Sequence, residues 1–169
     1  MSKLLWLTLA IMTIASVASA DVIGVYNDAN GVNCNFAPGF NPYGTVIHWS
    51  SVGSVGANFK IVLPAGSTLF SFLTNFPGPV PISEGNISVA YSGCLAGQIV
   101  VGTIVAILAP GTIQVLPIDG GIGYVESTKC DLTSRYVYPS NGGVGQAGGC
   151  NTYVSVEAST WGRVKSLYR

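Results

Sequence analysis

The stretch Ile99–Ala109, "IVVGTIVAILA", is the longest apolar run after the first twenty residues. Its reading decides the fold. As a membrane span it is too short, since a helix needs about 20 apolar residues to cross. As a soluble core helix it has the wrong side chains. β-Branched Ile and Val dominate, and their stiff χ1 angles suit a pleated, buried surface better than a helix. The run therefore reads as one long, fully buried strand. "APGT" turns the chain after it into a second strand, "TIQVLPI" (112–118).

The same grammar extends in both directions. "VIGVYN" (22–27) is a strand that ends in the turn "DANG". "TVIHWS" (45–50) follows. "NFKIVL" (58–63) alternates, with Phe59, Ile61 and Leu63 on one face. "STLFSFLT" (67–74) comes after Pro64-Ala65-Gly66, and "NISVAYS" (86–92) leads toward Cys94. "PGPVP" (77–81) belongs in a loop or at an edge, because proline cannot donate to a ladder. "IGYVES", "RYVYP" and "TYVSVE" complete about eight to ten strands at hairpin-like spacing. The pattern predicts an all-β, immunoglobulin-like β-sandwich, with a small closed β-barrel as the alternative.

The first twenty residues, "MSKLLWLTLAIMTIASVASA", have the form of a cleaved export signal. Lys3 is the positive region, Leu4–Ile14 the apolar one, and Ala18-Ser19-Ala20 places small residues before a cut at Asp21. The expected organisation is a signal peptide over 1–20, a β-sandwich over 21–158 and a basic tail over 159–169. No transmembrane segment is expected after cleavage, and the mature domain is placed outside the cell or at its surface.

Export changes the meaning of the four cysteines. In an oxidising compartment Cys34, Cys94, Cys130 and Cys150 read as two disulfides. None are spaced as closely as a zinc site prefers. Three connectivities are open. The Gly-rich loop "PSNGGVGQAGGC" before Cys150 favours Cys130–Cys150, which would leave Cys34–Cys94.

Charged residues are 8% of the chain and the net charge is +0, against about 25% charged in ordinary soluble domains. Such a surface has no field to attract nucleic acid. The distribution is uneven. All seven acids lie between Asp21 and Glu157, beside Lys60, Lys129 and Arg135 only, while Arg163, Lys165 and Arg169 crowd the end.

Candidate chemistry is sparse. His48, the single histidine, lies beside Trp49 without a G-x-S-x-G elbow elsewhere, so it reads as half-exposed strand packing. A small hydrolase using paired carboxylates is an alternative function, but most acids fall at expected turns, and nothing in the sequence pairs Glu126 and Glu157, the two on strands. Asp28, Asn30 and Asn33 have the alternation of a calcium loop without its closing acid, so a Gly turn is the simpler reading. Asn86-Ile87-Ser88 fits a glycosylation sequon. Tyr26, Phe40, Tyr43, Trp49, Tyr136, Tyr138 and Tyr153 can form a sugar-stacking platform, or divide between core and surface. No cofactor or metal is implied.

"GVYNDANGVNCN", "AYSGCLAGQIVV", "VLPIDGGIGYVESTKCD" and "STWGRVKSLYR" together resemble a group of small exported bacterial proteins from environmental genomes. These share a Cys-Asn pair, a Gly-Cys-Leu element and a Cys-Asp element, and many carry a Thr-Trp-Gly-x-x-Lys-x-x-x-Arg end. Cys34, Cys94 and Cys130 fall on matching positions, while the loop before Cys150 does not align. The resemblance implies an all-β exported domain without naming a reaction.

The terminal "STWGRVKSLYR" is the one helical pattern after the leader. Ser159 or Thr160 can cap it. Trp161, Val164, Leu167 and Tyr168 share a face, and Arg163, Lys165 and Arg169 lie mostly off it. So short a helix needs a surface to lie on: the domain's own acidic surface, an anionic membrane surface or a sorting receptor. The expected function is a non-enzymatic binding or structural module at or beyond the cell surface, with a docking tail. Its partner is a protein or glycan that the sequence does not name. A third possibility is an adhesin or fibre subunit that assembles by strand addition.

Overall fold

The computed structural model describes residues 21–77, 85–145 and 150–152. The signal segment, most of "PGPVP", most of "TYVSVE" with Glu157, and the basic tail with its expected helix lie outside the described residues. Among the described residues the structure is entirely β, with no helix.

Ten strands follow in order. They are β1 (Val22–Tyr26), β2 (Asn35–Phe36), β3 (Gly39–Val62), β4 (Thr68–Thr74), β5 (Asn86–Leu108), β6 (Gly111–Leu116), β7 (Glu126–Lys129), β8 (Ser134–Tyr136), β9 (Tyr138–Val144) and β10 (Asn151–Thr152). The spine is the antiparallel pair β3 and β5, in register from Phe40↔Ile107 to Lys60↔Asn86.

β3 joins two stretches that the sequence separates. "TVIHWS" and "NFKIVL" are one strand of 24 residues, continuous through "SVGSVGA". "NISVAYS" and the Ile99 run are likewise both in β5. A straight strand of β3's length would run about 80 Å, well beyond the roughly 30 Å breadth of a compact domain of this size. The pair bends instead. Register shifts fall between Asn41 and Gly44, Val46 and Ile47, Ser50 and Ser54, and Ser54 and Gly56. Extra unpaired residues at such bulges sharpen the local twist and re-aim the strand. The glycines of "SVGSVGA" thus mark a bend inside a strand, not a break between strands.

Each half of the spine recruits its own neighbours. The first half of β3 pairs with β1, its middle with β7, and its end with β6. β9 pairs with both β1 and β6, so the ladder β1–β9–β6–β3 closes on itself. On the far side β4 pairs with β5 alone among the described residues.

The core fills the space between the layers with Ile23, Val46, Phe59, Ile87, Val101, Ile104, Ile113 and Val137, all essentially inaccessible. Each such side chain contributes about 1.5–3 kcal/mol of burial. The Ile99 run forms a strand as expected but is not buried on both faces. Val101, Ile104, Ala106 and Leu108 point inward, while Val105 is half-buried and Ile107 is exposed.

The disulfides join Cys34 to Cys150 and Cys94 to Cys130, with Cα atoms 5.2 and 5.4 Å apart. This corrects the pairing suggested by loop composition. The reason is topological. Cys34 precedes β2 and Cys150 precedes β10, and both strands pair with β9. Ser54 of β3 pairs with Leu95 on one side and Lys129 on the other. Their chain neighbours Cys94 and Cys130 therefore meet across the bend. Gly53 permits it: at φ 90°, a Cβ there would lie 2.9 Å from both sulfurs.

Candidate binding surfaces

The described carboxylates are each engaged by their own chain. Asp28 accepts from the backbone N–H groups of Asn30 at 2.7 Å, Val32 at 3.3 Å and Asn33. Desolvation acts to raise the Asp28 pKa, and these backbone donors together outweigh it and hold the carboxyl below its ordinary range. Its oxygens organise the "DANGVN" turn, as the simpler reading of that loop expects. Asp119 is held by Lys60 and by the Asn86 amide, and the two hydrogen bonds lower its pKa. Asn86 also accepts from the Asp119 N–H at 3.0 Å, so the sequon's amide serves as a two-point clamp. Glu126 takes Asn58 and Ser134. Asp131 takes both the Thr133 hydroxyl and its N–H. Among the described residues no cluster of His, Cys, Asp and Glu is arranged to hold a metal ion.

Asp21, the residue after the expected cut, is buried. Its carboxylate accepts from the Ser51 N–H at 2.8 Å and the Ser51 hydroxyl at 2.9 Å, and pairs with Arg135 at 3.2 Å. Its carbonyl accepts from the Tyr138 N–H. The start of the domain is thus tied to β3, β8 and β9. Nothing local in the sequence signals this.

His48 is not half-exposed. It is wholly buried in the inward row Ile23–His48–Pro139 across β1, β3 and β9. Nδ1 lies 2.8 Å from the Tyr91 hydroxyl, and Nε2 has no hydrogen-bond partner among the described residues. Burial pushes the His48 pKa down to about 4; the Asp21 charge opposes this and the Arg135 charge adds to it. Burial, with Asp21, pushes the Tyr91 phenol up. A neutral, enclosed imidazole with no access to solvent is a packing residue.

The surface opposite the closed ladder is different in kind. β4, "TLFSFLT", carries no charge and no proline. Its one guard is a bulge, where Phe70 stands between Leu69↔Ala106 and Ser71↔Val105. On the outer face Phe40 of β3 pairs with Ile107 of β5, which pairs with Thr68 of β4. Phe40 is 67% exposed, Leu73 59%, Phe70 56% and Ile107 43%. Beside β4 an open groove of about 710 Å³ is lined by Ile61, Leu63, Leu69, Phe70 and Ser71, with Lys60. Natural sheets usually blunt such an edge with lysine or proline. Among the described residues, this one leaves backbone and apolar side chains uncovered together.

Of the seven aromatics, Tyr26 is core, Phe40 lies on the β4 side, and Trp49 with Tyr138 and Tyr136 lies on another face, while Tyr153 lies outside the described residues. The four cysteines are brought together in two pairs, one in the β1–β2 loop and one at the β3–β5 bend. The tail residues Trp161, Arg163, Val164, Lys165, Leu167, Tyr168 and Arg169 lie outside the described residues.

No family model matches the chain, and no curated protein matches it. Among solved structures it is similar to a non-cellulosomal cohesin from the hyperthermophilic archaeon Archaeoglobus fulgidus, with a TM-score of 0.54. The fold is cohesin-like. The likeness covers 75% of this chain and 90% of that one at 14% identity, so it speaks to architecture alone. In the cohesin-like sandwich described here, the uncharged β4 edge and its groove bring exposed apolar side chains and an edge strand together. They came from pairing and burial, which the sequence read only as one more strand.

Proposed function

We propose that this chain is an exported, non-enzymatic binding module that engages a protein partner along β4. One observation carries the reading: β4 is an uncharged edge strand with no second neighbour among the described residues, flanked by an apolar face and a groove. An extended segment of the partner adds to the sheet by main-chain hydrogen bonds, and alternate side chains enter the groove near Leu63 and Leu69. The similarity to a cohesin, a β-sandwich module, supports a binding role. The two disulfides suit an oxidising compartment, and the leader supplies the export. The basic tail 159–169 then sorts or docks the module at the envelope.

A second reading uses the same edge. If the added strand comes from another copy, the chain is a fibre subunit. The hydrolase reading finds no support in the described acids, each of which is bonded within its own chain.

Fractionation of the native producer, with mass spectrometry of the mature termini, tests export and the tail together. A mature N-terminus at Asp21 in the surface or medium fraction is expected. Recovery of chain beginning at Met1 in the cytoplasm contradicts the reading.

A further inference from the structure

Away from β4, four adjacent strands place one residue each in a single outward row: Gln98 of β5, Trp49 of β3, Val22 of β1 and Tyr138 of β9. Gln98 and Trp49 are exposed, Trp49 at 38%, and Val22 and Tyr138 are half-buried. Tyr136 continues the surface, its ring edge-on to Tyr138 at 4.8 Å, and Tyr124 follows at 5.7 Å from Tyr136. Tyr124, Tyr136 and Tyr138 are contiguous, and Trp49 shares their face one strand beyond Val22; together they are called the shelf.

The shelf is held rigidly. The β1–β2 loop leans against it at Gly31, whose φ is 71° and where a Cβ would sit 3.2 Å from Trp49 Nε1. That loop is itself fixed by the Asp28 carboxylate, by the Gln98 amide donating to the Ala29 carbonyl at 2.7 Å, and by Cys34–Cys150. Arg135, beside Ser51, is paired with the buried Asp21, and Asp28 stays ionised with its oxygens accepting from backbone donors. What faces outward is aromatic surface rimmed by amides and hydroxyls of Gln98, Asn30 and Ser51.

We propose that this shelf binds a neutral, extended polysaccharide, with sugar rings stacked on Trp49 and Tyr138 and their hydroxyls bonded to the polar rim. Amphipathic aromatic rings suit a ligand that is apolar on its ring face and polar at its edge. Trp49 and Tyr138 stand two strands apart, about 9.5 Å, a separation suited to alternate rings of an extended β-linked chain. The remaining negative charges, on Asp28 and on Glu126 across from Tyr136, repel an acidic glycan and so favour an uncharged one. The site is independent of the β4 edge.

The test uses the full mature chain with Trp161→Phe, so that Trp49 reports by fluorescence. Mannohexaose, xylohexaose, cellohexaose and laminarihexaose are titrated, with oligogalacturonate as the anionic control. At least one neutral hexasaccharide is expected to shift Trp49 emission with a dissociation constant between micromolar and millimolar. Trp49→Leu, which keeps an apolar contact for the Gly31 loop, is expected to reduce affinity at least tenfold by calorimetry. Tyr138→Ala should do the same with an unchanged circular dichroism spectrum. Phe70→Lys with Leu73→Lys should leave glycan affinity unchanged, which separates this site from the β4 edge. The proposal is overturned if no neutral hexasaccharide binds at 10-millimolar order, if Trp49→Leu binds as tightly as the parent, or if oligogalacturonate binds best.

Discussion

The Nδ1 atom of His48 lies 2.8 Å from the Tyr91 hydroxyl, across the β3–β5 spine and out of reach of solvent. Forty-three residues apart in sequence, the two side chains form an enclosed polar contact, with Asp21 and Arg135 acting on it through their charges. Only the neutral imidazole fits there.

This fixes a pH dependence. The His48 pKa is depressed to about 4 in the folded chain, against about 6.5 unfolded. Between these values the unfolded state binds more protons, so stability rises with pH. The contribution is complete above about pH 6.5 and is lost as pH falls toward 4, a total on the order of 3 kcal/mol. Asp28, Asp119 and Asp131, whose pKa values are lowered, lose their contributions at lower pH, as it falls below the ordinary carboxylate range. Urea unfolding at a series of pH values should show a decline between 6.5 and 4 that His48→Gln flattens. An equal slope in the variant would remove His48 as its source.

The Asp21–Arg135 pair gives a second prediction. Arg135→Met leaves the Asp21 carboxylate buried without its counter-charge. Breaking a buried pair from one side typically costs about 3–5 kcal/mol. The Ser50 hydroxyl, which donates to Asp21 Oδ2 at 3.4 Å, and the two Ser51 donors keep the loss toward the lower end of that range, measured as a shift in urea midpoint at pH 7. Asp21→Asn with Arg135→Met together should cost less than Arg135→Met alone.

The disulfides are expected to be separable. Peptide mapping of the oxidised protein should recover Cys34 linked to Cys150 and Cys94 linked to Cys130. Replacing Cys94 and Cys130 by serine should cost about 4 kcal/mol in the chain-entropy account, for a sequence separation of 36. Replacing Cys34 and Cys150 should also loosen the β1–β2 loop beside Trp49, seen as faster amide exchange at Asn30–Asn33.

Alternation carried the sequence reading a long way. The strand signals at Phe59, Leu69 and Thr112 correspond to observed strands in which one face is more buried than the other, and that at Val22 to a strand buried on both faces. The bends were illegible, since a glycine inside a bulged strand and a glycine between two strands look alike locally. The disulfide pairing was illegible for a related reason: Cys94 meets Cys130 only because Ser54 has neighbours on both sides, a fact of global topology. The candidate site was hidden in the same way. "TLFSFLT" is recognisably a strand, but that it stands at an edge, beside Phe40 and Ile107, depends on pairings up to 67 residues distant. The burial of His48 likewise follows from the row it shares with Ile23 and Pro139.

The central claim is that β4 receives a partner's strand, and site-specific photocrosslinking in the native producer tests it most directly. A benzophenone side chain placed at Phe70 or Leu73 should yield a discrete protein adduct, with the linked peptide an extended, uncharged segment of the partner. The same group at Leu132, in the turn between β7 and β8, should yield none. Adding Phe70→Lys to the Leu73 probe should abolish the adduct. If the linked peptide comes from another copy of this chain, β4 serves fibre assembly. If positions 70 and 73 give no adduct, or none beyond that at 132, the β4 edge is not the binding surface.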